Sequence, residues 1–272
     1  MTSRQLISLL FFLLATTLGT PLFAAPCAEP ILPNKVSGAE HCLLMRQFGS
    51  ETPKTLLVWL HGDVSSGGPA NYHFAIAEKA TAELGADTLK SIALVRPSYP
   101  DGSGEESGYA FGHGGRRDHY TTENLREIAG AIERLKERHT PKRTLLIGHS
   151  GGAASAATLL GMAPGLADDA VLVACPCDLV TWRAGRGGAW SRSENPIAWA
   201  DKIPTTTRVI ALTGERDNNT PPALAQHYTH YLQQRGLVAE TRTISYADHN
   251  SAFRAPEVTV AIKELISVPA AP

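Results

Sequence analysis

The chain has 272 residues, 43% of them hydrophobic, with 25 basic side chains against 26 acidic ones. That length and apolar content suit one large folded domain and argue against a disordered or fibrous chain. A formal net charge of −1 offers no basic field for nucleic acid or an anionic membrane surface, so neither is expected as a partner.

The first segment reads as an export signal. Arg4 precedes the apolar run from Leu6 to Ala15, and small residues follow at Ala24 and Ala25. This is the layout of a cleaved signal peptide over residues 1–25, leaving a mature domain of 26–272. Residues 5–25 carry no charge, so an uncleaved anchor is the alternative, and Pro21 counts against it. The expected location is periplasmic or extracellular, with no membrane contact after cleavage. Four cysteines agree with export: Cys27, Cys42, Cys175 and Cys177. A Cys27–Cys42 bridge is favoured, tying the mature N-terminus to the first strand. Cys175-Pro176-Cys177 is either a tight bridge or two reduced thiols. Its spacing does not suit zinc, and no metal is expected.

Strands and helices then alternate. Thr55–Leu60 is a short apolar run ending at His61-Gly62 and reads as a buried strand. Residues 70–84 are predicted helical, and Ser91–Val95 is the next strand. A glycine-rich loop runs from Tyr99 to Tyr120. Residues 121–138 form an amphipathic helix with Leu125, Ile128, Ile132 and Leu135 on one stripe, capped by Thr122. Arg143–Ile147 is a strand, Ala153–Met162 a helix of small residues, and Ala170–Ala174 and Arg208–Leu212 are strands. Residues 222–235 are helical, 240–245 form an edge-like strand, and 256–267 form a closing helix. Apolar strands alternating with helices imply an α/β fold, a mostly parallel sheet with helices on both faces. Such sheets bind ligands at the C-terminal ends of their strands.

The chemistry-bearing residues fall at those ends. Gly148, Ser150 and Gly152 make G-x-S-x-G between a strand and a helix. There the glycines permit a sharp turn that lifts the serine oxygen out of the sheet. A serine hydroxyl needs a base, and the base a partner, in the chain order acid then histidine. Asp217 follows the Arg208–Leu212 strand, with Glu215 as the alternative acid. His249 follows the 240–245 strand. His139, His227 and His230 lie on or at the ends of predicted helices, and His113 and His119 in the glycine-rich loop; none has both that order and a strand-end position. The oxyanion donors are expected to be the backbone N–H groups of Gly151 and Asp63, with Val64 next after Asp63. Val64, His149, Tyr120 and Trp182 are candidate substrate contacts.

From the His61-Gly62 loop through Gly148-His149-Ser150-Gly151-Gly152 and Asp217 to His249, the chain resembles the α/β-hydrolase superfamily. It looks most like its small exported or prolyl-oligopeptidase-like esterases. The resemblance implies the α/β-hydrolase fold, an acyl-enzyme mechanism, and neither metal nor organic cofactor. Two segments would set specificity. One is the 99–120 loop, with Asp101, Glu105, Glu106, His113, Arg116, Arg117 and Asp118. The other is residues 178–204, placed as a short cap and holding Trp182, Arg183, Arg186, Trp190, Arg192 and Trp199. The cap reads either as a lid offering aromatic and cationic contacts to a substrate carboxylate or phosphate, or as a surface loop whose tryptophans pack on the body. No long apolar lid is present for lipid chains. The expected reaction is hydrolysis of a small or medium carboxylic ester. A peptidase or amidase acting on short peptides and a non-catalytic binding protein of the same fold are the alternatives.

Overall fold

A computed structural model describes residues 27–65, 67–108, 120–188 and 190–268. The signal segment, His113, His119, Arg116, Arg117 and Asp118 lie outside them.

A nine-stranded sheet runs through the molecule in the order β1-β2-β3-β5-β4-β6-β7-β8-β9. β1 (Ile31–Leu32), β2 (Lys35–Ser37) and β3 (Cys42–Gly49) form an antiparallel meander, and β3 lies antiparallel to β5 (Leu89–Leu94). From β5 onward the pairing is parallel: β4 (Thr55–Leu60), β6 (Arg143–His149), β7 (Asp169–Val173), β8 (Arg208–Gly214) and the edge strand β9 (Val238–Ile244).

Successive side chains of a strand point to opposite faces. Leu56, Val58 and Leu60 of β4 therefore join one core, and Leu57 and Trp59 the other. The first core is closed by α2 (Thr122–His139), α3 (Gly151–Met162) and α6 (Pro222–Gln234), the second by α1 (Tyr72–Leu84) and α7 (Pro256–Ser267). Both faces of the central strands are thus dry, which explains their unbroken apolar runs. Each fully buried leucine or isoleucine there contributes about 1.5–3 kcal/mol.

Several boundaries differ from expectation. The antiparallel strands β1–β3 were not anticipated as a meander. The cap of α2 is Thr121, whose hydroxyl accepts from Asn124 N–H at 3.3 Å, and not Thr122. Adjacent threonines offer the same chemistry, and Thr121 alone has the extended backbone of a capping residue. α3 begins at Gly151, directly after Ser150.

Both cysteine pairs are bridged. Cys27–Cys42 ties the first described residue to β3, as expected. Cys175–Cys177, which the sequence left open, is also a disulfide, with Cα atoms 5.1 Å apart, buried after β7. Among the described residues, no helix is long and apolar enough to cross a membrane.

Candidate active site

Ser150 occupies the junction of β6 and α3 with φ 52° and ψ −118°, a left-handed conformation costly for any residue but glycine. The surroundings enforce it. Ser150 N–H donates to Val173 O at 2.8 Å, pinning the turn to β7. A Cβ on Gly152 would lie 2.2 Å from Leu60 O, so only glycine lets the turn pack this close to β4.

Loops after β8 and β9 bring two more side chains to this turn. His249 Nε2 lies 2.9 Å from Ser150 Oγ, and His249 Nδ1 lies 2.9 Å from Asp217 Oδ2. Asp217 is wrapped by its own loop. Its Oδ1 accepts from the N–H groups of Asn219 (2.9 Å) and Thr220 (2.8 Å), and the Thr220 hydroxyl sits 2.7 Å from Oδ2. Burial pushes the Asp217 carboxyl up, but hydrogen bonds from His249 and Thr220 outweigh it and hold the pKa below the usual range. Glu215, the alternative acid, turns away and accepts from Tyr246 N–H.

The loop after β4 closes the opposite side. His61 Nδ1–H donates to Gly62 O at 2.7 Å, and its Nε2 accepts from Arg96 N–H at 2.9 Å. The Asp63 carboxylate lies over Gly151, where a Cβ would come within 2.4 Å of Oδ1. It is paired with Arg96 Nη1 at 3.0 Å and accepts from the hydroxyls of Tyr99 (3.2 Å) and Tyr120 (2.6 Å). Burial works against the Arg96 charge, yet the facing Asp63 carboxylate lifts its pKa. Gly151 opens α3, so its N–H has no acceptor within the helix.

The candidate substrate contacts fare differently. Tyr120 is fully buried, with its hydroxyl committed to Asp63, so it offers no polar contact to a ligand. His149 borders the cleft, but both ring nitrogens are taken, by Tyr72 Oη and by the carbonyl of His249. Val64 packs against the Leu44, Val95 and Tyr99 cluster. Trp182 is partly exposed and donates from Nε1 to Asn219 O at 2.8 Å, so the 178–204 segment docks on the loop carrying Asp217. Arg186 reinforces this, donating to Asn219 Oδ1 at 2.8 Å. Trp182 and Trp190 meet edge to face at 5.4 Å, and Trp190 lies 5.7 Å from Tyr120. In the 99–120 loop, Asp101 caps Ser103, Glu105 pairs with Lys35, and the backbone of Glu106 forms a β-bridge with that of Pro100. The Asp101 and Glu105 carboxylates thus have partners within the fold.

Ser150 and His249 share a cleft of about 160 Å³ with Gly62, Asp63, Asn250 and Arg254. A larger hollow of about 800 Å³ lies between residues 29–33 and the end of α2, and holds none of these groups. The Ser150–His249 contact lies in the smaller one. Among the described residues, no group of three or more His, Cys, Asp or Glu side chains could hold a metal ion.

A sequence profile of the alpha/beta hydrolase family matches residues 57–200, more than half of the chain. The chain belongs to the α/β-hydrolase family. Its match runs from within β4 through the Ser150 turn to the segment after β7. No curated protein sequence matches at a significant level. Solved structures share the fold at low identity. Est1E from Butyrivibrio proteoclasticus, solved with ferulic acid, superposes with a TM-score of 0.65 at 14% identity, covering 86% of this chain and 97% of its own. The Pyrococcus furiosus esterase Pf2001 gives 0.66 at 15%, covering 92% and 98%. The Pyrococcus horikoshii acylaminoacyl peptidase gives 0.65 at 13%, covering 86% of this chain but 40% of the peptidase. This α/β hydrolase thus shares its fold with esterases and peptidases alike.

Sequence reasoning missed Tyr72, Arg96, Asn219 and Thr220. The Asp217-Asn218-Asn219-Thr220 run carried a signal, since an aspartate readily accepts from backbone N–H groups two and three residues on. Tyr72 and Arg96 had none, because their contacts join distant segments.

Proposed function

We propose that this protein is an exported serine hydrolase that cleaves carboxylic esters of small or medium substrates through an acyl-enzyme. The observation that carries the reading is the pair of 2.9 Å contacts joining Ser150 Oγ to His249 and His249 to Asp217. His249 Nε2 takes the Ser150 proton as Oγ attacks the ester carbonyl, and the proton then passes to the departing alkoxide. Asp217 keeps the Nδ1–H tautomer and stabilises the imidazolium. The oxyanion is received by the N–H groups of Asp63 and Gly151, with the positive end of α3 behind it. Water activated by the same histidine then releases the acid.

The cleft suits a small acyl group. A volume of about 160 Å³ beside Ser150 holds a short acyl group, well below the ~300–1,000 Å³ usual for drug-sized ligands. The segment 178–204 stands in the place of a short cap, docked through Trp182 and Arg186 on the loop carrying Asp217. Export is supported by the leader-like N-terminus and by two disulfides.

The test is labelling of the mature protein with a fluorophosphonate. A single adduct on Ser150, lost in Ser150→Ala together with hydrolysis of short-acyl esters, is expected. Matched ester and amide substrates should differ in favour of the ester. Activity retained in Ser150→Ala would overturn the reading. Faster amide turnover would transfer it to the peptidases.

A further inference from the structure

A second hydrogen-bonded chain lies behind Ser150, and the acyl-transfer scheme does not use it. Gly62 N–H donates to Tyr72 Oη at 2.6 Å, Tyr72 Oη lies 2.7 Å from His149 Nδ1, and His149 Nε2 lies 2.9 Å from the backbone carbonyl of His249. A carbonyl can only accept, so His149 Nε2 carries a proton, and in the neutral ring Nδ1 is bare. The Tyr72 hydroxyl therefore donates to Nδ1 while accepting from Gly62. One consistent set of protons runs from end to end.

The rings are fixed by packing as well. His149 stacks on Phe253 with centroids 4.8 Å apart, and Tyr72 meets both rings edge-on at 5.7 and 6.0 Å. Burial pulls the His149 pKa down to about 4 and pushes Tyr72 up to about 12, so neither exchanges its proton near neutral pH. The two ends of the chain matter most. Gly62 precedes Asp63, the proposed oxyanion donor, and His249 is the proposed base. These loops come from opposite sides of Ser150, after β4 and after β9, and no strand pairing joins them.

We propose that Tyr72 and His149 are positioning residues that hold the oxyanion loop and the histidine loop at a fixed spacing about Ser150. This rests on Ser150, Asp217 and His249 being the reacting groups. The gain is geometric, because a misplacement of about 1 Å can cost on the order of a hundredfold in rate. It is also electrostatic. The two imidazole centroids are 5.2 Å apart, and a neutral His149 spares the imidazolium formed on His249 from a like charge.

Tyr72→Phe, His149→Phe and the double variant test this, with steady-state kinetics on a short-acyl ester and melting curves to verify folding. Each single variant should lower kcat about tenfold with KM within about twofold. The double variant should be no worse than the poorer single by more than about twofold, because a chain cut once is already cut. Losses that multiply, losses confined to KM, or wild-type kcat in Tyr72→Phe while Ser150→Ala is dead would overturn the proposal alone. An active Ser150→Ala would overturn the reaction assignment beneath it. Nitrogen-resolved NMR of the unmodified protein gives a reading independent of any variant. A neutral His149 with its proton on Nε2 from pH 8 to 5 is expected, and an imidazolium or an Nδ1–H form would sink the idea.

Discussion

Asp63 and Asp217 stand on corresponding loops, after β4 and after β8, on either side of the turn that carries Ser150. Both carboxylates are largely buried, yet their partners differ. Asp217 meets an imidazole, whereas Asp63 meets the Arg96 guanidinium and two tyrosine hydroxyls. A carboxylate facing histidine can fix a tautomer and favour the charge that forms on the ring. One facing arginine has its own charge cancelled. That cancellation suits its place. Two like charges about 4 Å apart repel by about 4 kcal/mol at an effective dielectric constant near 20, so an unbalanced Asp63 carboxylate would oppose the oxyanion of the proposed mechanism. The same residue type thus faces an imidazole on one side and has its charge cancelled on the other, and the neighbour decides which.

The largest expected effect tests the base side. Asp217→Asn keeps the shape of the loop but offers an amide to His249, allowing the wrong tautomer. Hydrolysis of a short-acyl ester should fall about 10⁴-fold in kcat with little change in melting temperature. A loss under about tenfold would mean that Asp217 is structural, and the contrast with Asp63 would collapse.

Asp63→Asn tests the other side and should behave in the opposite way. Arg96 is 1% exposed, and the variant leaves its charge buried without a counter-ion. Breaking such a pair costs about 3–5 kcal/mol of stability, readable from urea midpoints. The fall in kcat should stay near tenfold, since the backbone N–H survives. A variant as stable as the native protein would show that the tyrosine hydroxyls alone hold this loop.

The contrast was only half legible in the sequence. Asp217 and His249 could be placed because strand ends, chain order and the G-x-S-x-G turn are local patterns. The same logic located β4 through β9 and the closing helix, whose 256–267 span agrees with α7. What escaped depends on distant contacts. β3 reads Cys-Leu-Leu-Met-Arg-Gln-Phe-Gly; Cys42 marks a strand there, but the apolar run stops at Arg46, so neither its full extent nor its antiparallel pairing is announced. Tyr120 sits at the end of a glycine-rich loop and looks available to substrate, but its hydroxyl is sealed on a residue 57 positions away. Tyr72 touches His149 across 77 positions, and no periodicity carries that information.

Acid titration gives the smallest effect and separates the two sides by pH. Burial lowers the pKa of His149 to about 4 and of His73 to about 3. The unfolded chain takes up these protons near pH 6.5, while the folded protein refuses them until those lower values. Over that interval the unfolded state binds more protons, so stability rises with pH and is lost on acidification from about 6.5 downward. Asp217 behaves differently, since its folded pKa is depressed. Its contribution is intact above the unfolded carboxylate value and disappears only as pH falls further, through the folded one. Urea midpoints should therefore begin to decline below about pH 6.5, before Asp217 titrates. His149→Phe should remove roughly 3 kcal/mol of that decline, at about 1.4 kcal/mol per pH unit, while Asp217→Asn leaves it in place. An unchanged slope in His149→Phe would mean that the ring already carries its proton in the folded protein, with a positive charge standing beside His249.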